Sequence, residues 1–124
     1  MEQFKAMSDS ELTIMNTLWN AEKELSALDI LAQCEEKHPW KRQTVTTFLF
    51  RLAEKGLVQQ RKQGRDVFYA PKMTFKEYES NRAKSILDSL YDGSAKNFMS
   101  ALCEKHNLSK EELKDLKDWI KEQE

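Results

Sequence analysis

Residues that interrupt regular structure are scarce: 3 glycines and 2 prolines occur among 124 residues. With Lys, Glu and Leu abundant, that scarcity excludes a loop-rich or collagen-like chain and favours helices. Cysteine is scarce too. Cys34 and Cys103 form no C-x-x-C pair. Neither a disulfide framework nor a metal site is expected, and both are read as buried, reduced thiols. No stretch reaches the roughly 18 to 20 apolar residues that span a bilayer. Residues 1–7 lack the apolar run of a secretory signal, so the expectation is a cytoplasmic address with no membrane insertion. A phosphate-cradling glycine loop is missing, and no nucleophile or carboxylate constellation recurs around His38 or His106. The chain is therefore read as a non-enzyme without cofactor.

Net charge is nearly absent as well: 20 Lys and Arg stand against 21 Asp and Glu, a total of −1. That total argues against a strongly basic nucleic-acid binder until it is resolved along the chain. Residues 1–36 carry −6, residues 37–72 carry +7 and residues 73–124 carry −2. The middle third has the electrostatic footprint of a polyanion-binding face. A solvated basic surface without a partner is the competing explanation.

What is present is a core-forming composition, 40% hydrophobic and 33% charged, in a length that suits one medium domain or two very small ones. Ser8-Asp9-Ser10-Glu11 is a capping box. It predicts a helix to about Ala21 with Leu12, Met15, Leu18 and Trp19 on its apolar face. Ser26 to Asp29 is a weaker box opening a short helix that buries Leu28, Leu31 and Cys34 and stops at His38-Pro39. A third helix follows from about Lys41 to Glu54, where Val45, Phe48, Leu49 and Leu52 keep the helical period. Its opposite face carries Gln43, Thr44, Thr47, Phe50 and Arg51, and Gly56 is placed as a left-handed cap.

Leu57 to Lys62 and Asp66 to Ala70 read as two strands joined at Gln63-Gly64-Arg65. Thr74 to Glu77 caps a helix burying Phe75, Tyr78, Ala83, Ile86, Leu87 and Leu90. A short helix surrounds Phe98, Met99 and Leu102. Ser109 to Glu112 caps the last, with Leu113, Leu116 and Ile120 inward and Trp119 beside them. The order predicts a mainly α chain with a small β-hairpin: a winged helix-turn-helix over residues 1–72, then a helical domain over 73–124. The latter's 52 residues are too few to close a core without disulfide, metal or partner. Its apolar faces (Tyr78, Leu87, Leu90, Phe98, Leu102, Leu113, Leu116 and Ile120) are expected to form a homodimer.

The third helix has a reader's makeup, since an α-helix fits the DNA major groove and uses N-terminal residues on base edges. Gln43 suits adenine, and the Thr44 and Thr47 methyls suit thymine, with their hydroxyls free for bases or phosphate. Lys41, Arg42 and Arg51 reach flanking phosphates, and Lys62 and Arg65 at the hairpin tip suit the backbone or minor groove. A winged-helix module that binds protein instead of DNA is the main alternative. RNA binding would require exposed aromatic platforms, for which only Trp40 and Phe50 are candidates.

Three strings carry a family resemblance. Ser8-x-x-Glu11-Leu12-x-Ile14-Met15-x-x-Leu18-Trp19 resembles the opening of the penicillinase-repressor (BlaI/MecI/CopY) family. Thr44-Val45-x-Thr47-x-Leu49-x-Arg51-Leu52-x-x-Lys55-Gly56 is similar to its recognition helix, and Phe68-Tyr69-x-Pro71 to the end of its wing. The resemblance implies a homodimeric repressor of an inverted-repeat operator in double-stranded DNA, with TACA/TGTA-like half-sites in better-known members. Thr44, Thr47 and Arg51 match family positions at or beside DNA. Gln43 stands where the family often has Lys or Ser. Cys103 is alone where the copper-responsive branch carries C-x-C motifs. The β-lactam-responsive branch is inactivated by cleavage after a membrane-bound sensor protease is activated. The resemblance implies a matching bond near Ala101–Leu102, with an Asn97–Phe98 pair four residues earlier as the other candidate.

Overall fold

The computed structural model describes residues 6–104 and 107–123; His106 lies outside them. Two compact units divide the chain, the first ending at Arg82 and the second beginning at Ala83.

The first unit opens with α1 (Asp9–Ala21). Its capping box is reciprocal: the Ser8 hydroxyl accepts from the Glu11 N–H at 3.2 Å, and the Glu11 carboxylate accepts from the Ser8 N–H at 2.9 Å. Strand β1 (Leu25–Ser26) follows, then α2 (Ala27–Cys34) and α3 (Arg42–Glu54). The box at α2 is complete despite the shorter acid. The Ser26 N–H donates to the Asp29 carboxylate and the Ser26 hydroxyl accepts from the Asp29 N–H. Hydrogen bonding from the Ser26 backbone and side chain holds the carboxyl below the ordinary aspartate value. Helix α3 closes in a Schellman motif, with the Gly56 N–H on the Ala53 carbonyl and the Leu57 N–H on that of Leu52, both at 3.0 Å. That geometry needs the left-handed Gly56, at φ +77°.

The wing is the hairpin of β2 (Val58–Gln63) and β3 (Asp66–Pro71); β2 is shifted one residue along the chain from the expected Leu57–Lys62, and β3 runs one residue further than expected. Gln63 pairs with Asp66, leaving Gly64-Arg65 as a two-residue turn entered at φ +63°. Strand β3 is central: the sheet order is β1-β3-β2, with Leu25 opposite Tyr69 and Ser26 opposite Phe68. Two residues are too few to show strand periodicity, so β1 left no trace in the sequence pattern.

The core of this unit joins Ile14, Met15 and Leu18 to Leu25, Ile30, Val45, Leu49 and Leu52, closed by Leu57, Val58 and Tyr69. Two short-range expectations are corrected. Leu28 is 53% exposed, and Ile30, two positions on, takes the buried place. Cys34 is buried, its Sγ 3.6 Å from the Thr17 hydroxyl, whereas Cys103 is exposed.

Helix α4 (Phe75–Tyr91) starts in the first unit and ends in the second. Tyr78, expected on a dimer face, is instead 5% exposed and belongs to the first unit's core. Its ring lies 6.2 Å from that of Trp19, and its hydroxyl accepts from the Met7 N–H at 3.0 Å. The Trp19 indole N–H in turn bonds the Met73 carbonyl at 3.0 Å. These anchors explain why the unit boundary lies near Arg82 rather than at residue 72. Phe75 meets the Trp19 ring edge-on yet remains largely exposed.

The second unit holds the end of α4, then α5 (Ala95–Cys103) and α6 (Lys110–Glu122). Ser94 and Ser109 cap the last two helices, Ser109 in a full box with Glu112. The Tyr91 and Phe98 rings meet edge-on at 5.3 Å. Among its described residues none is buried: Leu87, Phe98, Leu102, Leu113 and Leu116 are intermediate, and Leu90, Trp119 and Ile120 are exposed.

Candidate nucleic-acid interface

Helix α3 begins unlike its neighbours. Its N-cap, Lys41, makes no side-chain capping bond, and its first turn contains no acid. The first-turn N–H groups and the positive end of the helix dipole are left for an outside anion. Arg42 and Gln43 stand exposed in that turn, Thr47 and Arg51 are exposed further along, and Thr44 is partly buried. Val45, Leu49 and Leu52 lock the opposite side into the core.

The approach to α3 is braced by aromatic rings. His38 stacks on Trp40 at 4.5 Å and 18°, and Trp40 meets Phe48 edge-on at 5.3 Å. Trp40 is half-buried and packs against the core, so it is no free stacking platform.

The basic third divides into structural and available cations. The Lys55 ammonium bonds the Glu11 carboxylate at 2.9 Å and the Ala6 carbonyl at 3.0 Å, tying the end of α3 to the start of α1. Glu11 is 3% exposed. Burial pushes its carboxyl upward, but the Lys55 bond, the Ser8 N–H and hydroxyl, and the Lys55 charge together hold it below the ordinary value. Arg61 grips Glu24 at 2.9 Å and 3.1 Å through Nε, bonds Gln63 and lies 5.2 Å over the Phe68 ring. It fastens the wing to the α1–β1 turn. Lys41, Arg42, Arg51, Lys62 and Arg65 have no ion-pair partner among the described residues. Arg51 in particular makes no bridge to Glu54. Lys62 stands exposed on β2 and Arg65 in the turn at the wing tip.

The pattern that defines the penicillinase repressor family matches residues 7–122, across both units. The chain belongs to the penicillinase repressor family. A family relative, the penicillinase repressor of Bacillus licheniformis, is 26% identical over 122 residues, covering 98% of this chain and 94% of the relative. The methicillin resistance regulatory protein MecI of Staphylococcus aureus strain N315 is 24% identical over 114 residues, covering 92% of each chain. Among solved structures, the DNA-binding domain of the repressor BlaI is similar to 63% of this chain and 94% of its own. The TM-score is 0.54 at 27% identity. A second, the monomeric form of Bacillus licheniformis BlaI in complex with the blaP half-operator, has the same coverage and identity and a TM-score of 0.52. The winged-helix fold read from the sequence is thus the fold of this family. No helix among the described residues is long and apolar enough to cross a membrane.

Two parts of the site escaped the sequence reading. The Glu11–Lys55 and Glu24–Arg61 pairs join residues 44 and 37 positions apart, a separation that leaves no local signal. Thr46 was passed over although it stands exposed on α3; counting helical positions back one turn from Phe50 finds it.

Proposed function

We propose that this chain is a DNA-binding transcriptional repressor that holds an inverted-repeat operator as a homodimer. The uncapped, cation-flanked N-terminus of α3, with an exposed face beyond it, is the observation that carries this reading. In the proposed complex α3 enters the major groove. Gln43, Thr44 and Thr47 address bases, and Lys41, Arg42 and Arg51 neutralise phosphates on either side. Lys62 and Arg65 reach the backbone or minor groove at the wing tip. The complex of the relative BlaI with a half-operator supports this use of the fold.

Pairing of two chains is assigned to the second unit. Leu87, Leu90, Phe98, Leu102, Leu113, Leu116 and Ile120 supply the face, without Tyr78. The absence of a buried residue among the described part of that unit supports the assignment. Dimerisation would set two reading helices about one or two turns of DNA apart. Repression then follows from occlusion of the promoter. Release is assigned to proteolysis after activation of a membrane-bound sensor protease, at Asn97–Phe98 or Ala101–Leu102. Both bonds lie within α5, so the helix must open before either is cut.

A gel shift of the full chain on its own promoter, titrated with salt, tests the reading. A dimer neutralising about three to five phosphates per subunit gives a slope of log affinity against log salt near −5 to −9. Thr47→Ala should relax base preference at a cost of about 1–3 kcal/mol, while Arg65→Ala should weaken all sequences alike. A chain that shifts no duplex at low salt, yet retains a protein partner, is an interaction module instead. Cleavage is checked separately: a chain left intact by its activated protease has another route of release.

A further inference from the structure

The outer face of α3 is less polar than a hydrogen-bonding reader requires. Gln43, Thr47, Phe50 and Glu54 follow i, i+4, i+7 and i+11 and form one exposed stripe, with Thr46 one turn before Phe50. Both threonine hydroxyls are engaged within the helix. Thr46 donates to the Arg42 carbonyl at 3.0 Å and Thr47 to the Gln43 carbonyl at 2.9 Å. The Thr47 hydroxyl, which the sequence pattern leaves free for bases or phosphate, is therefore occupied, and both side chains have methyls to offer. Between them and the end of the helix stands the Phe50 ring, 65% exposed. It borders a shallow cleft between α3 and the wing, lined also by Thr46, Ala53, Glu54, Gln60 and Tyr69.

An aromatic ring in water forgoes the stabilisation of burial, and nothing in the fold requires it at this position. Its surroundings indicate the occupant. Lys41, Arg42 and Arg51 flank the strip on the same helix, and Lys62 and Arg65 stand on the wing, all without ion-pair partners among the described residues. An apolar protein groove would match the ring and leave these cations unanswered. The DNA major groove matches both, because thymine C5-methyl groups line its floor between two rows of phosphates.

We infer that Phe50 is a specificity-determining residue that reads thymine C5-methyl groups, with the Thr46 and Thr47 methyls extending the same apolar strip. This rests on the operator-binding reading and adds to it an aromatic residue at a position that reading left without a role. The test begins by selecting duplexes from a randomised pool with the full chain. A selected duplex is resynthesised with deoxyuridine replacing thymidine one position at a time, which removes only the methyl. The wild type should lose affinity about four-fold per contacted methyl, the effect of one buried carbon. Phe50→Ala should lose a similar amount on the thymine duplex and nothing more on the uracil one. Phe50→Leu should retain part of the preference. An unchanged thermal melt of Phe50→Ala confirms that an exposed ring was removed from an intact fold. Equal binding of thymine and uracil duplexes by the wild type, or full thymine preference in Phe50→Ala, overturns the inference and leaves operator binding standing. Failure of the wild type to enrich any duplex overturns both.

Discussion

The two units of this chain have helices of similar local quality and very different interiors. In the first, Ser8 caps α1, and thirteen apolar side chains from Ile14 to Tyr78 are buried behind it. In the second, Ser109 caps α6 equally well, yet no described side chain is buried. Capping and helical period therefore establish that a segment is a helix, while leaving open what its apolar face will meet. A buried face is complete within one copy of the chain; the half-exposed one is the face that the proposed dimer would complete.

The strongest challenge to that contrast is Leu49→Ala in the first unit. Removing a fully buried leucine should cost about 2–5 kcal/mol, read as a lower urea midpoint that does not depend on protein concentration. Leu116→Ala in the second unit should act on association instead, by about 1.5–3 kcal/mol per copy if the side chain is fully buried in the dimer. Sedimentation should then show dissociation at concentrations where the wild type remains paired. A concentration-independent loss would mean that the second unit closes its own core.

Lys55→Ala should destabilise the first unit by about 1–3 kcal/mol by stranding the buried Glu11 carboxylate. The same residue predicts a pH effect. Because folding holds the Glu11 carboxyl below its ordinary value of 4.5, the stability it contributes is fully present above that pH. It is lost as pH falls from there through the folded pKa. Urea midpoints across that range should decline less steeply in Glu11→Gln. The smallest effects are the cap deletions Ser8→Ala and Ser109→Ala, each about 1 kcal/mol. The first should lower the melting temperature at every concentration. The second should do so most where the chain is dimeric.

Most of the local architecture was legible because its determinants are local. The boxes at Ser8, Ser26, Thr74 and Ser109, the left-handed Gly56 and the Gly64 turn all act within a few residues. Burial was harder to read on short elements. Leu28 with Leu31 and Ile30 with Cys34 both satisfy a helical period in an eight-residue α2, and only the positions of α1 and α3 decide between them. Tyr78 and Leu87 lie along one helix, and the sequence does not record that Trp19 and Met7 claim the first. At the site, the positions of Lys41, Arg42, Thr47 and Arg51 could be read from α3 alone. Which cations are already engaged could not, because Glu11 and Glu24 arrive from another helix and its turn.

Ser26 serves two elements at once: it is the last residue of β1, opposite Phe68 of the wing, and the N-cap of α2. Mechanically, the wing is a cantilever, clamped to its base at this short strand and by Arg61 on Glu24. A load applied at the Arg65 tip travels down β3 and arrives at a helix cap before it reaches the hydrophobic interior. Ser26 lies one register step nearer the tip than the buried Leu25–Tyr69 pair, so the Ser26–Asp29 cap stands between the wing tip and the core.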